Sequence, residues 1–423
     1  MNTTEKLRVI FFLQFFIWGS WLITLGSYMM ETLKFSGTAV GSIYGTMGIA
    51  SLFMPGLLGV VADRWIPANR LYMICHLIGA ATLFIAASIT SPFMMFIIML
   101  IHCLAFMPTI AISNSISYSC LESQGLDVIT QFPSIRIFGT IGFIVAMWLV
   151  SFLKLELSSM QLYIAGLSSI LLSLYTLTLP FISTSQGKSE KKSLITSLGL
   201  DAFVLFKQPK MAIFFVFAIL LGGILQITNT FGNPFIRSFE DIPEYANSFA
   251  VQYPSVLLSI SQISEVVFIL FVPFFMKRLG IKYVMLISML AWVARFGLFA
   301  YGNPSPFGFV LLLLSMIVYG CAFDFYNISG SMYVDKTVSP SIRNSAQGLF
   351  MMMTNGIGAY LGSVISGFVV DHYTNNDVID WQSVWLIFAS YSLILAVVFA
   401  LIFKNENSNE NINTNEKATQ IIN

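Results

Sequence analysis

Charged residues are scarce in this chain. Its 423 residues include 21 lysines and arginines and 20 aspartates and glutamates, together 10% of the sequence, whereas 57% are hydrophobic and the mean hydropathy is +0.81. Soluble domains usually carry about 25% charged residues. So few charged side chains cannot form the polar surface that a soluble protein of this length needs. We therefore predict that most of the surface faces lipid. The composition therefore excludes a cytosolic enzyme, a secreted disulfide domain and a disordered chain.

Cysteine and histidine are also rare, with four and three residues respectively. The cysteines lie in or beside apolar runs and have no zinc-ligand spacing, so we interpret them as small packing residues. The histidines form no cluster in the sequence, and no metal site is predicted. A glycine-rich phosphate loop and a His-Glu-x-x-His pair are absent, so the sequence supports neither ATP hydrolysis nor another enzymatic activity, and no cofactor is expected. The neutral total charge offers no footprint for nucleic acid.

Most of the sequence consists of long runs of apolar residues. A spanning helix needs about 20 mostly apolar residues, and twelve runs qualify. They cover residues 7–30, 40–62, 71–90, 92–119, 135–153, 161–181, 210–232, 248–275, 281–301, 306–333, 344–370 and 383–403. The sequence therefore predicts an all-α integral membrane protein with twelve transmembrane helices.

The basic residues between these runs predict the orientation. With the N-terminus inside, 17 of the 21 lysines and arginines fall in inner segments and 3 in outer loops. Positive charge is retained on the cytoplasmic side of membranes. We therefore predict a multi-pass membrane protein with both termini in the cytoplasm.

The chain divides near its middle. We predict an N-terminal six-helix bundle over residues 1–183, a cytoplasmic linker over 184–209, a C-terminal six-helix bundle over 210–404 and a disordered tail over 405–423. Weak repeats support a duplication: Pro133-Ser-Ile-Arg136 returns as Pro340-Ser-Ile-Arg343, 207 residues later. Repeated six-helix halves are typical of transporters, with the substrate site at mid-membrane between the halves.

Several motifs resemble those of known transporters. Gly59-Val-Val-Ala-Asp63-Arg64 and Lys277-Arg278-Leu-Gly280-Ile-Lys282 resemble the loop motif of the major facilitator superfamily. Longer stretches, including Phe132-Pro-Ser-Ile-Arg136-Ile-Phe-Gly139-Thr140-Ile-Gly142-Phe143 and Tyr319-Gly-Cys-Ala-Phe323-Asp324-Phe-Tyr-Asn327, resemble the bacterial nucleoside:proton symporters over about residues 5–404. The resemblance implies a major facilitator fold and uptake of purine and pyrimidine nucleosides, such as uridine and adenosine, with protons.

Ionisable side chains inside the spans are expensive in lipid and mark functional sites. Glu265 lies near the middle of the eighth span, one turn from Gln262, and Asp324 lies between two phenylalanines in the tenth. Burial among aromatic rings disfavours the charged form of a carboxylate, so either acid could carry the coupled proton. The sequence does not separate them. Arg295, in the ninth span, is expected to be structural, either snorkelling to the interface or pairing elsewhere.

Polar and aromatic side chains recur on single helix faces of other spans. The candidate substrate-binding residues are Arg136, Thr140, Phe143, Gln226, Asn229, Gln262, Glu265, Tyr319, Phe323 and Asn327. Carboxamides can pair with base edges and ribose hydroxyls, and aromatic rings can stack on bases. Each could instead serve helix packing. The resemblance places Arg136, Thr140 and Phe143 on the cavity wall.

Charged residues at the inner ends of spans form a candidate cytoplasmic gate. Its members are Asp63, Arg64, Lys277, Arg278 and Arg343. The predicted protein is a monomer that alternates access to a central site. A xanthosine-preferring nucleoside symporter and a sugar:proton symporter of the same fold remain alternatives, as do a drug exporter and a non-transporting membrane sensor.

Overall fold

The computed structural model describes residues 2–179, 200–340 and 342–403. Twelve long helices follow one another along these ranges. They are α1 (Thr3–Gly19), α2 (Gly37–Arg64), α3 (Ala68–Ala86), α4 (Pro92–Ser123), α5 (Val128–Phe152), α6 (Met160–Thr176), α7 (Pro209–Arg237), α8 (Pro254–Leu279), α9 (Ile281–Tyr301), α10 (Pro306–Thr337), α11 (Arg343–His372) and α12 (Trp381–Ile402). Ten are long and apolar enough to cross a membrane, and α1 and α6 have 17 residues each. The predicted twelve-helix membrane fold is confirmed.

Short elements complete the chain. A helical turn (Leu25–Ser27) and a π-helix (Tyr28–Thr32) extend α1, and α11 contains a π-helical segment over Met352–Gly358. Short 3₁₀ helices lie at Leu200–Lys207 and Ser238–Asp241, and a single α-helical turn lies at Phe249–Gln252. Two antiparallel two-residue strands, Thr374–Asn375 and Val378–Ile379, precede α12. The predicted tail and residues 184–199 of the predicted linker lie outside the described residues.

Local sequence explains where the helices begin and why some predicted bounds were wrong. α1 begins at Thr3 because Asn2 and Glu5 form a reciprocal capping box. α5 begins at Val128, capped by Asp127, so the Pro133 motif lies inside that helix instead of opening it. The eighth run breaks at Tyr253, because a residue before proline is pushed out of the helical conformation.

The twelve helices form two bundles. In the first half α1 packs on α5, α3 on α6 and α2 on α4, and in the second half α9 packs on α10 and α12, and α8 on α10. The halves meet where α2 contacts α11, where α5 contacts α8 and where Leu25–Ser27 contacts α7. We call the end of the molecule where α1 begins and α12 ends the terminal face, and the opposite end the distal face.

Contacts between the halves are dense at the distal face. Gly41 of α2 approaches α11 so closely that an added Cβ would lie 2.2 Å from the carbonyl oxygen of Ser363. On the other seam, the Trp148 indole donates to Ser259 Oγ at 2.8 Å. Arg237 Nε, on α7, pairs with Glu31 Oε1 at 3.0 Å. The distal face is therefore closed by close packing of the α2 and α11 backbones together with a hydrogen bond and an ion pair between the halves.

Two buried or half-buried carboxylates join the halves in a repeated way. Asp371, at the end of α11, accepts hydrogen bonds from the backbone N–H groups of Gly37 (2.6 Å) and Thr38 (2.8 Å), the first residues of α2. Glu156, after α5, accepts from the backbone N–H of Ser255 (3.2 Å) in the first turn of α8. Each carboxylate thus caps the N-terminus of a helix in the other half. We call these contacts the cross-caps.

The cross-caps are related by the internal repeat. α5 and α11 are the fifth helices of their halves, and α2 and α8 are the second helices. Free N–H groups at a helix N-terminus carry partial positive charge and need acceptors. Glu156 is only 4% exposed, and its other oxygen accepts from the Asn233 amide at 3.3 Å. Closure of the distal face therefore satisfies two helix ends that opening would release.

We predict that Asp371→Asn and Glu156→Gln each favour a distal-open conformation. An amide has one acceptor oxygen where each carboxylate uses two, so one of the N–H groups that it now accepts from loses its acceptor. Loss of a capping hydrogen bond costs about 0.5–2 kcal/mol. The open-to-closed ratio should rise by about 2- to 30-fold. Spin labels on Met160→Cys and Phe249→Cys, at exposed distal sites of the two halves in a background lacking the native cysteines, would report this as a longer distance.

Asp380→Asn is the matched control. Asp380 caps α12 within its own half, accepting from the Ser383 backbone N–H and hydroxyl at 3.2 and 2.6 Å. It should leave the label distance unchanged. An unchanged distance in both Asp371→Asn and Glu156→Gln would show that the cross-caps do not hold the distal face closed.

Candidate transport site

The first-half wall of the candidate site is built on α5 and α1. The Arg136 guanidinium carbon lies 4.4 Å from the centroid of the Phe15 ring, a cation–π contact. Gly139 makes room for it, because an added Cβ would lie 2.7 Å from Phe15. Phe143 is buried edge-to-face against Trp18, with centroids 6.3 Å apart. Thr140 lies half-buried between them along α5.

Trp18 is a wall residue that the sequence left ambiguous. It contacts Phe15 and Phe106 as well as Phe143, with centroids 6.0 and 6.1 Å apart for the first two. Its ring is half-buried. It therefore belongs to the same aromatic wall as the predicted residue Phe143.

The α7 wall carries the two predicted carboxamides. Asn229 Nδ2 lies 3.5 Å from Gln226 Oε1, so the two side chains share one face, and both are half-buried. The glycines before them let α7 approach α11 closely. A Cβ on Gly222 would lie 2.2 Å from the Thr354 carbonyl oxygen, within the π-helical segment. This glycine therefore allows the backbones of α7 and α11 to approach closely.

The second-half wall combines α8 and α10. Tyr319 and Phe323 stack in parallel with centroids 5.8 Å apart and an interplanar angle of 3°. The Tyr319 hydroxyl lies close to the Gln262 side chain and interacts with it. Asn327, one turn beyond Phe323, donates from Nδ2 to the Phe323 carbonyl at 3.1 Å. Its carbonyl oxygen is an additional acceptor on this wall.

Charged side chains of the first-half wall and the second-half wall interact with each other. Arg136 of α5 and Glu265 of α8 interact electrostatically across the two halves. Glu265 also interacts with Asp324 of α10. Asp324 is 5% exposed, and its Oδ2 has no hydrogen-bond partner within the described ranges. The structure thus brings the two acids and the arginine into one charged cluster at the centre of the molecule.

The five predicted gate residues all lie at the terminal face. Arg64 ends α2 and is exposed, and Lys277 and Arg278 lie in the exposed last turn of α8. Arg343 pairs with Asp335 of α10 at 3.1 Å, within its own half. Asp63 lies in α2, and its side chain is outside the described part of the structure. The gate assignment remains a prediction.

Arg295 does not snorkel to the interface. It is 2% exposed and donates from Nη1 to the Ser315 carbonyl at 2.8 Å. Of the two expected alternatives the side chain takes the second and pairs inside the bundle, because α9 lies among α8, α10 and α12 at this depth.

A buried polar network in the first half was missed by the sequence analysis. Gln14 Oε1 accepts from the Tyr72 hydroxyl (2.6 Å) and lies 2.8 Å from His76 Nε2, while Gln14 Nε2 donates to Thr109 Oγ1 (2.8 Å). His76 Nδ1 lies 3.0 Å from Ser169 Oγ. The network joins α1, α3, α4 and α6 beneath the aromatic wall. The sequence shows which residues share a face of one helix, but it does not show which side chains of different helices meet. These hydrogen bonds between helices could therefore not be predicted.

Comparison with known proteins decides the family. The family model described as "Nucleoside H+ symporter" matches residues 1–408. The chain belongs to the nucleoside H+ symporter family. It is 62% identical to the xanthosine permease of Escherichia coli K12 and 59% identical to nucleoside permease NupG of the same organism, in each case over 404 residues and 96% of both chains.

Solved structures agree with this family and its fold. The crystal structure of nucleoside transporter NupG superposes with a TM-score of 0.92 at 58% identity, covering 96% of this chain and all of the other. A bacterial homologue of the lysosomal transporter Spinster matches at 16% identity with a TM-score of 0.65 and supports the fold alone. The predicted membrane transporter with a major facilitator fold of two six-helix bundles is confirmed.

We predict that the Gln14 network stabilises the first bundle of this family member. Gln14→Ala would leave the Tyr72 hydroxyl and the His76 ring without their acceptor and would open a small cavity. A loss of about 2–3 kcal/mol is expected, measured as a lower melting temperature in detergent. Gln124→Ala removes an exposed glutamine and is the matched control. Equal melting temperatures for the two variants would contradict the assignment.

Proposed function

We propose that this chain takes up nucleosides with protons by alternating access, as a monomer in the bacterial inner membrane. The observation that supports it best is the central cluster. In this cluster Arg136 and Glu265 interact across the two halves. Carboxamide side chains lie on α7 and α8, and a stacked pair of aromatic rings lies on α10. Family membership supports the same substrate class.

The chemistry of the cluster suits a nucleoside. A base is flat and apolar on its faces, and the Tyr319–Phe323 pair and the Phe143–Trp18 pair offer aromatic surface on opposite walls. Base edges and the ribose diol carry both donors and acceptors, which match the carboxamides Gln226, Asn229, Gln262 and Asn327. Neither wall alone presents all of these groups, so full binding requires both halves.

We assign the coupled proton to Asp324, with Glu265 as the runner-up. Asp324 is buried and its Oδ2 lacks a hydrogen-bond partner among the residues that the structure describes, whereas Glu265 has Arg136 opposite. A buried charge without a partner is costly in low dielectric. A protonated Asp324 would therefore permit the halves to close around the substrate, and hydration on the opposite side would release the proton.

The distal closure fits one state of this cycle. With the termini in the cytoplasm, as the basic residues predict, the distal face is extracellular. The closed distal seams then correspond to an inward-facing state. Asp63, Arg64, Lys277, Arg278 and Arg343 would meet in the outward-facing state as a cytoplasmic gate.

A xanthosine-preferring symporter is the second candidate. The identities of 62% to a xanthosine permease and 59% to a nucleoside permease are close. Competition of labelled uridine uptake by xanthosine, adenosine and a disaccharide would rank these substrates. Inhibition by the disaccharide alone would contradict nucleoside transport and favour the sugar symporter.

We predict that Asp324→Asn abolishes uphill accumulation of uridine in proteoliposomes with an imposed pH gradient. The amide is permanently neutral, so substrate can still exchange while proton flux is lost. Counterflow of labelled uridine should therefore persist. Normal gradient-driven accumulation by this variant would remove Asp324 from the coupling role, and the same experiment with Glu265→Gln would test the runner-up.

We predict that Gln226→Ala and Asn229→Ala each weaken uridine binding by about 3- to 10-fold. Each removes a hydrogen bond worth about 0.5–1.5 kcal/mol. Calorimetric titration of purified protein would measure the affinity, with Gln124→Ala as a control for a glutamine remote from the site. Unchanged affinity in both variants would assign these amides to helix packing.

A further inference from the structure

Arg295 is a buried cation without an acidic partner. It is 2% exposed, and none of the ion pairs within residues 2–179, 200–340 and 342–403 includes it. Insertion of an arginine at the centre of a membrane helix costs about 2.5–3.5 kcal/mol on translocon scales. An apolar side chain could fill the same space between α9 and α10 without that cost. The position of Arg295 therefore needs an explanation beyond packing.

Arg295 contacts both helices that present the second-half wall. From α9, its Nη1 donates to the carbonyl of Ser315 on α10 at 2.8 Å and to Ser261 Oγ on α8 at 3.3 Å. Its guanidinium carbon lies 4.6 Å from the Tyr319 ring centroid and 5.1 Å from that of Phe299. The guanidinium is thus held between two rings and two oxygen atoms.

The contacted groups lead directly to the site. Tyr319 stacks on Phe323 and interacts with the nearby Gln262 side chain. Ser261 immediately precedes Gln262 on α8. Trp292, one turn before Arg295 on α9, packs edge-on against the same Tyr319 ring, with centroids 6.0 Å apart. Arg295 therefore touches the ring of one candidate binding residue and the chain neighbour of another.

We propose that Arg295 is a positioning residue for nucleoside binding, which fixes the Tyr319 ring and the Gln262 amide in the orientation that receives the substrate. This role rests on the proposed function of the central cluster. A desolvated cation–π contact is worth about 2 kcal/mol, and the planar guanidinium reaches the ring and both oxygens at once. Lysine has the charge but not the planar fork, and methionine has neither.

The test is a double-mutant cycle on uridine affinity, measured by calorimetry on purified protein and by the concentration dependence of counterflow. Arg295→Met should weaken binding about 10-fold, the equivalent of about 1.4 kcal/mol. Arg295→Lys should lose less. In a Tyr319→Leu background, Arg295→Met should cause little further loss, because the ring through which it acts is gone.

Ser288→Ala provides a matched control on the same helix. Ser288 is buried and hydrogen-bonds to the Ala322 carbonyl, so its loss also weakens the α9–α10 contact without touching Tyr319. It should leave uridine affinity unchanged. Melting temperatures of all variants would show whether they fold, and Arg295→Lys replaces Arg295→Met in the cycle if the latter does not.

Two results would overturn the proposal. One is wild-type affinity in the Arg295 variants, and the other is an equal loss with and without the Tyr319 ring, which would indicate a general structural role. Absence of uridine binding by the unmodified protein would instead refute the proposed function on which the inference rests.

Discussion

Carboxylate contacts with helix ends across the two halves are the interaction on which the rest of this arrangement depends. Lipid offers no hydrogen bonds, so polar backbone groups near it must be satisfied by the protein. At the distal face, Asp371 and Glu156 satisfy the first turns of α2 and α8, which belong to the opposite half in each case. The two bundles are thereby joined at one end, and this junction determines how far apart the walls of the central cluster stand.

The cluster itself depends on both halves being in register. Arg136 lies on Phe15 in the first half and interacts with Glu265 in the second. Since α5 and α8 also meet at Trp148 and Ser259, about three turns from Arg136 along α5, the charged pair lies well inside the closed seam. A change at the distal seam is consequently transmitted along two rigid helices to the groups that we assign to substrate and proton.

Much of this could be predicted from the sequence, for physical reasons. Apolar runs of 20 residues have one interpretation in a chain with so few charges, and polar residues within them are rare enough to stand out. Thus Gln226, Glu265, Asp324 and the Tyr319–Phe323 face could be named in advance, and the structure groups them. The partners could not be named. In the sequence, Glu156 and Asp371 cannot be distinguished from other acidic residues near loops. The contact of Gln14 with His76 joins residues that are 62 positions apart in the chain. For Arg295 the sequence left open a position at the interface or a partner elsewhere, because depth along a helix does not reveal which face is buried.

The π-helical segment of α11 makes the duplicated halves unequal. α5 is α-helical throughout Val128–Phe152, whereas its counterpart α11 is divided at Met352–Gly358. One part of α11 is tied to α2 through Asp371, and the other is tied to α10 through Arg343. A π turn has weaker, wider backbone geometry than the α-helix around it. α11 therefore contains a compliant joint that α5 lacks, so a bend of α11 can change the site wall beside Gly222 while both of its anchors stay in place.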